Sequence, residues 1–307
     1  MKKIFNSIIA LGVLTAFALT SCGVPPQSEG NTLNVLASAS FLADIAQNVA
    51  GDRVQVDSLL PVGADPHAYE ATPSDVVRIS ESTVLILNGL EYEHFIESLL
   101  ENAGGERLVI TASKGLEGHM EEGETEDEHS HGAGDPHMWL DPILVITYVE
   151  NIRDGLSTAD PEGAETYKAN AEVYIAELEA LDAFIREQVE RIPAERRLLV
   201  TNHEALGYFA ERYGFRVVKT ILPGTSSDTS ASAREVAATI EAIRSSGAPA
   251  IFLDEVENTS LANQISAETG VEVVEGLHLE SLTDGAPAGT YIEMMKYNVS
   301  LLVRALQ

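Results

Sequence analysis

The chain has 307 residues, of which 45% are hydrophobic, and this length favours two domains with moderate cores. Its 48 acidic residues outnumber 19 basic ones, so the formal net charge of −29 repels phosphate backbones and excludes nucleic acid as a partner. The single cysteine excludes an intramolecular disulfide and a cysteine-based zinc site, so histidine and carboxylate must hold any metal.

The N-terminus has the pattern of a secretory signal. Two lysines precede an apolar run over residues 8–19, which is too short to span a bilayer as a stable helix. The run leads into the sequence LTSC, which ends at Cys22 and resembles a bacterial lipobox. This resemblance implies that residues 1–21 are a lipoprotein signal peptide, that Cys22 is lipidated and that residues 22–32 are a tether to the membrane. The alternative for a lone cysteine is a buried structural thiol.

Residues 33–160 are predicted to form an N-terminal lobe. Short apolar segments alternate in it with amphipathic segments, and this alternation predicts a parallel sheet with helices on both faces. The strands are expected at 33–38, 54–60, 83–90 and 108–113, and the helices at 41–51, 73–81, 93–105 and 143–157. His67 follows the second strand, and ligands of such sheets bind beyond the carboxyl ends of the strands.

A stretch dense in Glu, Gly and His interrupts this lobe at residues 117–134. It contains His119, His129 and His131 among many acidic residues, with almost nothing apolar, so it is predicted to be a flexible loop. Two roles fit this loop equally: a solvated acidic insert and a low-affinity metal-collecting segment. A flexible loop cannot supply fixed tetrahedral geometry, so these histidines are poor candidates for the main metal site.

Order is expected to resume at DPHMWLDP, residues 135–142. His137 lies there between two Asp-Pro turns, and the prolines restrict the backbone around its imidazole. Trp139 and Leu140 can fix the segment to a core. A preorganised ligand needs such rigidity.

Residues 161–192 are predicted to form one long linking helix, because nothing after Gly163 in this range breaks a helix. Asp160 and Pro161 suit its start, and Pro193 suits its end. Such a rod would span roughly 45 Å, enough to cross a pair of lobes. An ordinary surface helix is the alternative on shape alone. One apolar stripe recurs at alternating spacings of three and four residues: Tyr167, Ala171, Tyr174, Leu178, Leu181, Ile185, Val189 and Ile192.

Residues 193–307 are predicted to form a C-terminal lobe that repeats the architecture of the first. The strands are expected at 198–201, 215–222, 248–256 and 271–277, and the helices at 205–213, 233–246, 258–270 and 290–306. His203 follows the first of these strands, and His278, Glu280 and Asp284 follow the last. The expected fold class is therefore α/β, with two βα lobes that each hold a parallel four-stranded sheet and are joined by one long rigid helix.

Three histidines lie at strand ends or in a rigid turn: His67, His137 and His203. With Glu280 they would supply three neutral imidazoles and one carboxylate, a ligand set that suits zinc at about 2.0 to 2.2 Å. Taken singly, each histidine is more often a turn or core residue than a ligand, and no close H-x-x-H pair occurs. Residue types and spacing alone therefore do not establish a metal site.

Four motifs, GADPHAYEATPSD, DPHMWLDP, TNHEALGYFAERYGF and ESLTDGAPAGTYIEMMKYN, occur in this order. Together they resemble the solute-binding lipoproteins of bacterial ABC transporters for zinc and manganese, in the cluster built on a rigid interlobe helix. The resemblance covers essentially the whole mature chain. It implies that His67, His137 and His203 are metal ligands, with Glu280 as the fourth ligand and Asp284 as its rival.

The same resemblance implies a metal ion transport function of the zinc-uptake type. The protein would be an extracytoplasmic receptor, a monomer anchored to the cell membrane by lipid, that binds its ion between the lobes and delivers it to an ABC permease. Three imidazoles favour Zn²⁺, because manganese sites of this family resemble a more oxygen-rich set of histidines and carboxylates, and Mn²⁺ is the second candidate. The candidates for orienting the ligands are Asp65, Asp141, Asp254 and Glu255.

Two other functions are weighed against transport. A zinc hydrolase is disfavoured, because His203 and Glu204 begin like H-E-x-x-H but Gly207 stands where the second histidine belongs. Four protein ligands would also close the position that a catalytic water needs. A metal-binding adhesin or a receptor for an organic solute would predict an aromatic-lined cleft, whereas aromatic residues make up 6% of the chain. No catalytic residue is therefore predicted.

Overall fold

A computed structural model of the chain describes residues 33–119, 134–224, 226–227, 229–254 and 259–307. The predicted signal peptide, Cys22 and the tether lie outside these residues, as do His129, His131 and Glu255. Residues 33–307 form one compact unit. Within the described ranges, no helix is both long enough and apolar enough to cross a membrane.

The N-terminal half contains one parallel four-stranded sheet. Its strands and helices are β1 (Val35–Ala37), α1 (Ser40–Ala50), β2 (Val56–Ser58), α2 (Pro73–Glu81), β3 (Val84–Leu87), α3 (Glu97–Asn102), β4 (Leu108–Thr111) and α4 (Leu144–Ala159). The strand order is β2-β1-β3-β4, and Val35 of β1 pairs with Val56 on one side and Val84 on the other. Every residue of β1 is buried, as is typical of a central strand covered on both faces.

The observed elements of this half differ from the predicted ones mainly at their ends. The apolar runs 33–38 and 54–60 are longer than β1 and β2, which are three residues each. Leu59 and Leu60 follow β2 and are buried, because they fill the core after the strand has ended. The apolar run therefore extends beyond the residues that pair as a strand. The predicted helix 93–105 begins as a 3₁₀ segment before α3.

The long helix is α5 (Ala164–Val189), a continuous run of 26 residues that spans about 39 Å. The predicted range 161–192 is wrong at both ends. Pro161–Gly163 form a separate 3₁₀ turn, since glycine has a low preference for the α-helix. At the other end the N–H of Ile192 bonds to the carbonyl three residues back, as in a tight turn. The predicted apolar stripe, which begins at Tyr167, is the buried face of the helix.

The C-terminal half contains the second parallel four-stranded sheet. Its strands and helices are β5 (Leu198–Thr201), α6 (Gly207–Tyr213), β6 (Arg216–Thr220), α7 (Ala233–Ser246), β7 (Ala250–Asp254), α8 (Thr259–Thr269), β8 (Glu272–Leu277) and α9 (Tyr291–Leu306). The strand order is β6-β5-β7-β8, the same pattern as in the first sheet. The predicted fold class, two βα lobes with parallel four-stranded sheets and one long helix between them, is confirmed.

A single large core connects the two halves. α5 packs against α1, α4, α6 and α9. Trp139 belongs to this core: its ring stacks on Phe41 with the centroids 4.3 Å apart, and its indole N–H donates to the carbonyl of Leu279 at 2.8 Å. The hydroxyl of Tyr291 donates in turn to the carbonyl of Trp139 at 2.6 Å. This shared core contains residues from both sides of the predicted lobe boundaries. Those boundaries therefore stay a prediction.

Asp44 couples the stability of this core to pH. Its carboxylate, on α1, accepts a hydrogen bond from the backbone N–H of Tyr291 at 2.9 Å. Burial raises the pKa of Asp44 from the ordinary 3.8 to about 6, against the smaller lowering by that hydrogen bond. The folded chain therefore holds this proton more tightly than the unfolded chain does. The free energy of unfolding falls as the pH rises from about 4 to about 6, and the loss persists above that range.

Asp44→Asn should raise the free energy of unfolding at pH 7 by roughly 2 to 3 kcal/mol relative to the wild type, and should change it little at pH 4. Asparagine removes the charge but can still accept the hydrogen bond from Tyr291. Urea unfolding followed by circular dichroism at both pH values measures the difference. Asp52→Asn, at an exposed position, is the control. An equal effect of Asp44→Asn at both pH values would contradict the assignment.

Candidate metal centre

Four side chains from separate segments of the two halves meet at one point. His67 lies in the turn between β2 and α2, and His137 directly precedes a 3₁₀ turn ahead of α4. His203 and Glu280 follow β5 and β8, respectively, within three residues of the strand end. Both lie at carboxyl ends of strands of the second sheet, where ligands of parallel sheets bind.

The four potential ligand atoms all lie within 4.8 Å of one another. The Oε1 atom of Glu280 is 2.8 Å from Nε2 of His137, 3.4 Å from Nε2 of His203 and 3.8 Å from Nε2 of His67. The side chain of His67 is 13% exposed, whereas those of the other three are exposed by 1% or less. Among the described residues, this is the one group of three or more His, Cys, Asp or Glu residues close enough to share an ion.

Two polar atoms of this group have no hydrogen-bond partner among the residues that the structure describes. They are Nε2 of His67 and Oε2 of Glu280, and both are shielded from solvent. A buried polar atom without a partner destabilises a fold by about 1 to 3 kcal/mol, so native proteins rarely keep one without a reason. A divalent cation would accept lone pairs from both atoms. Three imidazoles and one carboxylate are a donor set that such an ion can use.

His137 and Glu280 hold opposite charges in this ligand set. Burial would lower the pKa of His137, but the carboxylates of Glu280 and Asp135 outweigh it and raise that pKa to about 9. Burial would raise the pKa of Glu280, but the His137 imidazolium and the hydrogen bonds from His137 and His203 hold it well below its usual range. The pair is therefore ionic at neutral pH, and an entering cation has to replace the proton on His137.

The tripeptide Asp-Pro-His occurs twice and places two of the imidazoles. In the first copy, Oδ1 of Asp65 accepts a hydrogen bond from the backbone N–H of His67 at 2.9 Å. In the second copy, Oδ1 of Asp135 accepts the equivalent bond from His137, also at 2.9 Å. This side-chain-to-backbone bond fixes the chain in a turn at the histidine.

Asp135 also determines which nitrogen of His137 faces the other ligand side chains. Its Oδ1 lies 2.7 Å from Nδ1 of the imidazole, so Nε2 is left toward Glu280. Asp135 itself is held by the hydroxyl of Tyr208, which donates to its carbonyl at 2.6 Å. A side chain at Gly207 would approach the Asp135 carboxylate to 3.0 Å, so glycine leaves room for it. The sequence reasoning missed Asp135, although the repeat of Asp-Pro-His was a signal that could have found it.

Hydrogen bonds to the two residues before Glu280 fix its position. The carboxylate of Asp254 accepts from the backbone N–H of Leu279 at 2.6 Å, and Trp139 donates to the carbonyl of the same residue at 2.8 Å. Asn298 bonds both the N–H and the carbonyl of His278, at 2.9 and 2.7 Å. The backbone that carries Glu280 is thereby fixed from α9, β7 and the segment of His137.

Two of the four residues expected to orient the ligands contact the ligand segments. Asp65 bonds the backbone of His67, and Asp254 bonds the residue before Glu280. Asp141 contacts none of the ligand residues by hydrogen bond; it accepts from the N–H of Ile143 at 2.8 Å, near the start of α4, and its carboxylate lies 3.1 Å from Arg212. The fourth candidate, Glu255, is outside the described residues.

Three further residues that the sequence analysis named are not part of the group. Asp284 is exposed and stands apart from it. His278 is buried, with its ring 5.3 Å from that of Tyr297. His119, in the described part of the acidic loop, stacks on Tyr208 at 4.0 Å and places Nε2 2.9 Å from Glu211. Of the two candidates for the fourth ligand, Glu280 lies in the group and Asp284 does not.

Comparison with known proteins gives a consistent family. Residues 35–305 match the protein family described as "Zinc-uptake complex component A periplasmic". The manganese-binding lipoprotein MntA of Halalkalibacterium halodurans is 34% identical over 310 residues, which cover 100% of this chain and 99% of that protein.

Two solved structures have the same fold over most of their length. The periplasmic zinc binding protein TroA from Treponema pallidum is 29% identical with a TM-score of 0.79, and the match covers 89% of this chain and 98% of that chain. The Mn-bound periplasmic metal binding protein from Candidatus Liberibacter asiaticus is 28% identical with a TM-score of 0.77, covering 89% and 99% of the two chains.

Proposed function

The chain belongs to the family of metal-binding, substrate-binding proteins of ABC transporters described as the periplasmic component A of zinc uptake, and we propose that its own cargo is Zn²⁺. The ion is captured in the cleft by His67, His137, His203 and Glu280 and is delivered to an ABC permease. The protein works outside the cytoplasm, anchored to the membrane by a lipid on Cys22. Relatives named as lipoproteins and as periplasmic proteins support this location.

One observation carries the choice of zinc over manganese. Three imidazole nitrogens and one carboxylate lie within 4.8 Å of one another, so nitrogen dominates the donor set. Imidazole suits zinc, whereas manganese prefers carboxylate, carbonyl and water oxygen. A second candidate cargo is Mn²⁺, because the relative MntA is named as manganese-binding and one similar structure is Mn-bound.

The same group supports binding rather than catalysis. A catalytic zinc site keeps a coordination position open for water or substrate. Here four ligands surround one point, and three of them are almost fully buried. We therefore infer a site that encloses an ion for transport, with no role as an enzyme.

Parallel titrations with Zn²⁺ and Mn²⁺ test the choice of cargo. The mature protein should bind one Zn²⁺ per chain in competition with a chelator of known affinity, and should bind it more tightly than Mn²⁺, as the general order of divalent metals also favours. Elemental analysis of the protein as purified adds the metal acquired in the cell. Tighter binding of Mn²⁺, together with manganese in the purified protein, would make the chain a manganese receptor.

A further inference from the structure

The two Asp-Pro-His units differ in what else the aspartate binds. In both units, Oδ1 accepts the backbone N–H of the histidine. Asp135 uses that same oxygen to orient the His137 ring, within its own segment. Asp65 instead uses its other oxygen, Oδ2, to accept a hydrogen bond from the hydroxyl of Ser227 at 2.7 Å. Ser227 is 162 residues away, in the segment between β6 and α7.

The segment that carries Ser227 is attached on both sides of His203. The N–H of Leu222 donates to the carbonyl of Asn202 at 2.7 Å, and the N–H of Glu204 donates to the carbonyl of Gly224 at 2.9 Å. The Asp65–Ser227 bond therefore connects the turn of His67 to the segment that brackets His203. Among the four clustered side chains, His67 is also the most exposed, so an ion reaches or leaves the group on its side.

We propose that Asp65 is a positioning residue which, through Ser227, holds the turn of His67 closed over the ion and sets the rate at which the ion exchanges. This inference rests on the proposed function of zinc capture. Neither Asp65 nor Ser227 is among the four residues that surround the ion. The bond consequently stabilises the closed arrangement to a similar extent with and without cargo, so its loss changes the entry and exit rates together and leaves the equilibrium affinity nearly unchanged.

Ser227→Ala, in the mature full chain, removes this bond while Asp65 keeps its bond to His67. Zn²⁺ dissociation into excess chelator and Zn²⁺ association, both followed by stopped flow, should each become about ten-fold faster, the factor expected for loss of one hydrogen bond to a charged group. The dissociation constant should stay within about three-fold of the wild type. Ser227→Thr keeps a hydroxyl and should restore the slow rates.

Thr229→Ala is the matched control. Thr229 bonds within its own segment, to the carbonyls of Pro223 and Ser226, each at 3.2 Å. Its loss should leave both rates at the wild-type values. A thermal melt of each variant verifies that the fold is retained.

Three outcomes would overturn the inference. They are wild-type rates in Ser227→Ala, equal acceleration in Thr229→Ala, and a weaker affinity of Ser227→Ala with an unchanged association rate. The last result would mean that the bond only strengthens the loaded state. Failure of the wild-type protein to bind Zn²⁺ would instead reject the proposed function, so the two failures are distinguishable.

Discussion

Replacement of His137 by alanine is expected to weaken Zn²⁺ binding by more than about 100-fold, because loss of an outer partner of a ligand alone costs about 10- to 100-fold. His137 is fully buried, and its Nε2 lies 2.8 Å from Glu280. Alanine leaves the ion only three of the four protein ligands of this group. Competition with a chelator of known affinity measures the loss.

His94→Ala is the control for this variant. The His94 side chain is 67% exposed and lies near two surface glutamates, 3.7 Å from Glu91 and 3.6 Å from Glu97. Its removal should leave the affinity at the wild-type value. Equal affinities of His137→Ala and the wild type would reject His137 as a ligand.

Glu280→Gln should cause a loss of affinity at least as large, and should also change the titration of His137. Glu280 is the only anionic member of the group, and glutamine keeps its shape without its charge. Burial lowers the pKa of His137, and Glu280 contributes the largest of the opposing effects. Without Glu280, that pKa should fall from about 9, which NMR titration of the imidazole in the metal-free protein can follow.

Asp284→Asn is the matched control for Glu280→Gln. The two carboxylates lie four residues apart in sequence, but Asp284 is exposed and Glu280 is buried. The Asp284 variant should therefore bind Zn²⁺ as the wild type does. A loss in Asp284→Asn, with full affinity in Glu280→Gln, would reverse the assignment of the fourth ligand.

The elements were predictable because their signals are local. Strand and helix alternation gave the α/β class, and the period of the stripe that begins at Tyr167 gave the buried face of α5. Element ends were less predictable, since strand length depends on pairing with a partner strand. Leu59 and Leu60 illustrate this: they are as apolar as strand residues but lie beyond the end of β2.

The candidate ligands were identified through their positions at strand ends and through the family resemblance. Sequence alone could not choose between Glu280 and Asp284, because both follow the same strand and only burial separates them. The contacts that fix the site could not be predicted from the sequence, for a different reason. Trp139 and Leu279 are 140 residues apart, and Asp65 and Ser227 are 162 apart, so no local pattern records either bond.

We propose that one Zn²⁺ ion is bound by imidazoles from both halves of the molecule together with Glu280. X-ray diffraction from crystals of the zinc-loaded protein, recorded on both sides of the zinc absorption edge, locates the ion. We expect one strong anomalous peak at about 2.0 to 2.2 Å from Nε2 of His67, His137 and His203 and from a carboxylate oxygen of Glu280. An anomalous peak elsewhere, such as beside His119 and Glu211, with none between these four side chains, would contradict the proposal.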